Sequence, residues 1–131
     1  MRRPGAMQRW SAEARPFLTA LIGAEDELIS RSERPAVVVR ALCDQLDTAV
    51  VHARTWHVNH RCPDAKLGVY FNELISASQG MSAIMQLVAM EAPGGGWIEN
   101  REVADKVGAN LMDRIAQATR ARRYLREWQY R

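Results

Sequence analysis

SERPAVVVRALCDQLDTAVVHARTWHVNHRCPD, residues 32–64, decides the fold. Within it Val39, Leu42, Leu46, Ala49, Ala53 and Trp56 recur at alternating spacings of three and four. A seam period of about 3.5 residues keeps one face of a helix apolar, whereas a strand would alternate with period two. Ser32, followed by Glu33-Arg34-Pro35, is a start signal. The helix should run to about Asn59 and end before Cys62-Pro63, because the residue preceding proline is pushed out of helical geometry.

Toward the C-terminus, Asp64 is placed to cap a third helix whose seam is Leu67, Phe71, Leu74, Ser78, Met81, Met85 and Val88, again spaced by four and three. At its centre Ser76-Ala77-Ser78-Gln79-Gly80 is small and polar where core residues are expected. A kink or break here is one reading, and close approach of another helix is the other, since Gly80 weakens a helix interior by ~1 kcal/mol relative to alanine. Pro93-Gly94-Gly95-Gly96 breaks the chain and reads as a flexible hinge. Trp97 and Ile98 then stand as a staple before a cap at Asn100, and Val103, Val107, Leu111, Ile115, Ala118, Leu125 and Trp128 carry a last long helix.

Toward the N-terminus, residues 1–10 (MRRPGAMQRW) read as a basic arm outside the packed domain. A first helix is expected from Ser11, with Pro16 in or before its first turn. Phe17, Leu18, Leu21, Ile22, Leu28 and Ile29 give it a stripe that ends around Ser30. Short connections make consecutive helices antiparallel neighbours, so the expected architecture is an all-α, antiparallel four-helix bundle, one domain over residues 11–131.

Length and composition agree with that. A chain of 131 residues, 47% hydrophobic and 25% charged, can bury a core without staples. Cys43 and Cys62 are too few for a disulfide framework, and at opposite ends of one helix they would stand roughly 28 Å apart. They read as reduced thiols of a cytoplasmic protein. No apolar run reaches the length of a membrane span, and Phe17 to Ala24 runs directly into Glu25-Asp26-Glu27, so neither a membrane anchor nor export is expected. The net charge of +3 is only mildly basic.

Little in the sequence resembles reaction chemistry. His57 and His60 are one helical turn apart, with Cys62 and Asp64 in the adjoining turn, and His57, His60 and Cys62 are competent ligands for a transition metal. Their spacing matches no standard zinc module, and the preferred reading is structural: His60 closes the seam, Cys62 packs in the turn and Asp64 caps. A carboxylate-bridged di-metal centre would need Glu-x-x-His pairs, which do not occur. There is no Gly-x-Ser-x-Gly turn, and the glycines at 94–96 lack the Lys-Ser/Thr of a phosphate-binding loop. The expectation is a non-enzymatic protein with no cofactor.

The informative surfaces are two. Arg114, Arg120, Arg122, Arg123, Arg126 and Arg131 crowd the end of the last helix against one acid, Glu127, with Tyr124, Trp128 and Tyr130 interleaved. Arginine pairs bidentately with phosphate or carboxylate and stacks on aromatics, although cations at a helix C-terminus also suit the macrodipole. Residues 102–109 have the spacing of the first helix and turn of a helix-turn-helix, but Arg114 and Gln117 then fall where buried residues are usual, so one continuous helix is preferred. Met81, Met85 and Met90 lie on a helix apolar around much of its circumference, as in a central helix or one that meets another subunit. The leading expectation is a macromolecular binding or assembly module that presents Arg114, Arg120, Arg122, Arg123, Tyr124, Arg126 and Trp128 to a protein partner or a second copy. Nucleic-acid binding is the alternative, and a metal- or small-ligand-binding bundle the third reading.

Overall fold

A computed structural model describes residues 5–129. It contains four helices, α1 (Ala6–Ser30), α2 (Ala36–Asn59), α3 (Ala65–Glu91) and α4 (Arg101–Gln129), and no strand among the described residues. The protein is an all-α four-helix bundle.

The seams meet as their periodicity requires. All six seam residues of α2 and all seven of α3 are buried. Asp64 caps α3 by accepting from the Leu67 amide at 3.0 Å, and Asn100 accepts from the Val103 amide at 3.2 Å to start α4. Ile98 is buried beneath that start, as a staple requires. Helix α4 passes through Gly108 without interruption.

Helix α3 is central. It packs against α2 and α4 along its length and also reaches α1, which accounts for its apolar breadth. Met81 and Met85 are core residues, whereas Met90 lies on the surface. Helical structure continues without a break through residues 76–80, so of the two readings of that segment the close approach is the one realised. A Cβ at Gly80 would stand 2.8 Å from Arg114 Cδ, which crosses over it from α4.

Two expectations at the N-terminus are corrected. Helix α1 starts at Ala6 rather than near Ser11, with the Gly5 amide donating to Gln8 Oε1 at 2.6 Å, so residues 5–10 are not an arm; residues 1–4 lie outside those described. The cause is Trp10. Its ring is buried against Trp56 and Phe71, and its Nε1 donates to the His60 carbonyl at 2.9 Å, which ties the segment to the α2–α3 turn. Pro16 consequently sits well inside α1. An interior proline removes the hydrogen bond to residue i−4 and costs ~3 kcal/mol. Ala12 and Pro16 are both exposed, which leaves the released carbonyl accessible to water, while buried Ala14 and Leu21 hold the helix on either side.

The glycine-rich connection is anchored rather than hinged. The Ala36 amide donates to the Pro93 carbonyl at 3.0 Å and the Gly96 amide to the Glu33 carbonyl at 2.9 Å, so the α3–α4 loop is laced to the α1–α2 turn. Gly95 has φ +100°, and a Cβ there would meet the Glu33 carbonyl oxygen at 2.8 Å. Gly95→Ala is therefore expected to cost at least ~2 kcal/mol, from left-handed strain plus a backbone clash. Gly94→Ala, which meets nothing within 4 Å, should be close to neutral. Urea unfolding midpoints of the two variants compare them, and equal midpoints would refute the laced-loop account.

Candidate functional site

The arginines of α4 fall into two groups. Arg114 lies over Gly80 and donates from Nη1 to Gln117 Oε1 at 3.0 Å. Arg122 turns inward, where Nε donates to Glu25 Oε1 at 3.1 Å, Nη2 pairs with the same oxygen, and Nη1 donates to Asp26 Oδ1 at 3.0 Å. Arg120, Arg123 and Arg126 are exposed, and none has an ion-pair or hydrogen-bond partner among the described residues. Tyr124 stacks on Tyr70 at 4.2 Å with Lys66 Nζ 5.3 Å from its ring centre, and Trp128 packs half-buried against the core. Tyr130 and Arg131 lie outside the described residues. Of the seven residues singled out on this helix, the fold thus uses Arg114, Arg122, Tyr124 and Trp128 internally and leaves Arg120, Arg123 and Arg126 free.

Arg122 belongs to a polar core that sequence reasoning missed. Glu25 is 1% exposed, and its second carboxylate oxygen accepts from Ser78 Oγ at 2.5 Å. Burial pushes the Glu25 carboxyl above the ordinary carboxylate range; the donors from Ser78 and Arg122 and the Arg122 charge pull the other way, and burial prevails. The signal was present in the register. Leu21, Glu25 and Leu28 are spaced four and three, as are Leu74, Ser78 and Met81, and Ala118, Arg122 and Leu125. Each of three helices carries one polar residue in its seam, and the three meet.

Beside this network the bundle is open. Helices α1 and α4 close the ring of four in principle, yet their backbones scarcely approach, in contrast to the other three neighbouring pairs. A groove of about 580 Å³ lies between them. Half-buried Leu18 and Ile22 and buried Leu125 form its floor, exposed Arg15 on α1 and Arg126 on α4 its walls, and the Asp26–Arg122 pair also lines it. Arg15, like Arg126, is without a partner among the described residues.

The metal-ligating candidates are not gathered. His60 is exposed and stacks on Trp56, whose carbonyl accepts from His60 Nδ1 at 2.9 Å. His57 packs its ring against Phe71 at 4.9 Å and, with Cys62, lines a separate surface pocket. Burial holds the His57 pKa low and pushes the Cys62 thiol up, so a neutral ring and a protonated thiol are favoured there. Among the described residues no three of His, Cys, Asp and Glu stand close enough together to hold a metal ion. Cys43 is a buried thiol pushed up to about 11 by desolvation, and donates to the Ser82 carbonyl.

Compared with known protein families, with curated proteins and with solved structures, the chain matches none.

Two outcomes test the polar core. Arg122→Met leaves Glu25 buried without its cation and should cost ~3 kcal/mol, whereas Glu25→Leu combined with Arg122→Met should restore most of that loss; additive single losses would show the pair to be independent. Because the raised Glu25 carboxyl binds a proton more readily in the folded protein than in the unfolded chain, its contribution to stability falls as pH rises from the ordinary carboxylate value through the raised folded value. Glu25→Gln cannot titrate and should flatten that component of a urea stability profile taken from about pH 4 to about pH 8. A variant profile parallel to the wild type would contradict it.

Proposed function

We propose that the protein is a non-catalytic binding module that docks a protein partner through the basic face of α4. The observation that carries this reading is the set of guanidinium groups at Arg120, Arg123 and Arg126, exposed and unpaired in a fold that has already neutralised Arg122 internally. Arginine keeps its charge, binds carboxylate bidentately and is weakly hydrated, which makes free arginines effective anchors of interfaces. A groove bounded by Arg126, with Leu18, Ile22 and Leu125 among its lining residues, adjoins this face, and an interface needs apolar area as well as charge.

A protein fits better than a nucleic acid. Duplex binding is dominated by phosphate neutralisation, which calls for a continuous cationic track. Here Asp26 and Glu127 interrupt the positive surface, Leu18, Ile22 and Leu125 lie in the groove, and the net charge is only +3.

Affinity capture from native lysate compares the wild type with the combined variant Arg120→Glu, Arg123→Glu and Arg126→Glu, all at exposed positions where the unfolding free energy should change by less than ~0.5 kcal/mol per site. A saturable protein partner retained by the wild type and lost by the variant is the expected result. A duplex DNA that binds with a steep inverse dependence on salt and is lost with the same three charges would replace this reading by nucleic-acid binding, and capture unaffected by the variant would remove α4 from the interface.

A further inference from the structure

We infer that the groove between α1 and α4 receives one face of an amphipathic helix from the partner, with an apolar stripe flanked by carboxylates; this rests on the reading of α4 as a partner-binding face. The shape selects a helix face. Along α1 the groove is lined at positions 15, 18, 19, 22, 23 and 26, a stripe spaced by threes, fours and ones that covers three turns, about 16 Å. A groove of about 580 Å³ drawn out over that length is long and narrow, the proportions of a row of side chains along one face of a helix. The occupant lays one row of its side chains along the groove, as helix-in-groove recognition does. The groove is open along its length, so a small amphiphile would leave much of its surface in water, unlike the enclosed sites that hold such ligands.

Charge selects the flanks. Arg15 from α1 and Arg126 from α4 both line the groove as free cations, together with Leu18, Ile22 and Leu125, while Arg122 is held by Glu25 and Asp26. Carboxylates beside the partner's apolar stripe satisfy both walls, and a basic helix is repelled. Gly23 lines the groove, and a Cβ there meets nothing within 4 Å, so a side chain introduced at this position starts from open space at the groove edge.

The test is selection from a displayed library of helical peptides randomised at stripe and flank positions, with the intact protein as bait. Enriched peptides are expected to carry Leu, Ile or Met at i, i+3 or i+4, and i+7, with Glu or Asp beside them. Each synthesised winner should bind Gly23→Leu at least ~10-fold more weakly, and Arg15→Glu with Arg126→Glu weaker by a similar factor. Gly23→Leu should melt no lower than the wild type, since leucine is the better helix former, so its lost binding reports occlusion and not unfolding. Failure to enrich any peptide, enrichment of basic peptides, or equal binding to Gly23→Leu overturns the inference. Lysate capture of Gly23→Leu separates the two levels: capture that is lost with the three α4 charges but intact in Gly23→Leu sinks the groove and leaves the α4 face standing, whereas capture indifferent to those charges removes both.

Discussion

The Glu25 carboxylate is held from two sides, by Ser78 of α3 and by Arg122 of α4, and it brings to that meeting point α1, whose backbone scarcely approaches that of α4. A carboxylate this deeply buried is costly unless its lone pairs are satisfied and an opposite charge stands near. Both conditions hold only when α1, α3 and α4 adopt one mutual register. A slip along any seam would bury Glu25 against leucine or strand Ser78. The network thus contributes specificity more than net stability, because an apolar trio of similar volume would satisfy the same space without desolvating charge.

That arrangement also shapes the surface. By drawing Arg122 inward, the core removes one cation from the α4 face and places a neutralised pair, Asp26 with Arg122, along the α1–α4 groove. Of the other cations that line the groove, Arg15 and Arg126 are left free. Were α1 and α4 packed as closely as α3 and α4, Leu18 and Ile22 would be fully buried and no groove would exist. The polar tie holds the edge together while leaving it incompletely closed.

At the end of the bundle that carries the α2–α3 turn, aromatic packing sets the structure. Trp10, Phe17, Trp56 and Phe71 meet with ring centres 5.2–5.8 Å apart, and His60 stacks on the outside of Trp56. Such pairs add to simple burial, and the Trp10 indole hydrogen bond gives the cluster a direction. This end is what converts His57 and His60 from a pair on one helical turn into two rings with different neighbours. The glycine-rich loop at the far end does the complementary work by joining two connections through backbone hydrogen bonds.

By itself, the sequence determined the elements with a strong local cause: the seams of α2 and α3, the caps at Asp64 and Asn100, the stop before Cys62-Pro63, and hence the all-α bundle. These follow from periodicity and capping, which act over a few residues. Glu25, Ser78 and Arg122 were each legible as polar residues in seam register, but their meeting was not, since nothing local couples positions that far apart along the chain. The start of α1 was misplaced for the same reason, because Trp10 is drawn into the helix by partners on α2 and α3 and Pro16 argued locally against it. Which arginines remain free, and that an open groove lies beside them, were decided only by tertiary structure: a guanidinium's availability depends on the carboxylates the fold brings to it, and a groove exists only where two helices fail to close.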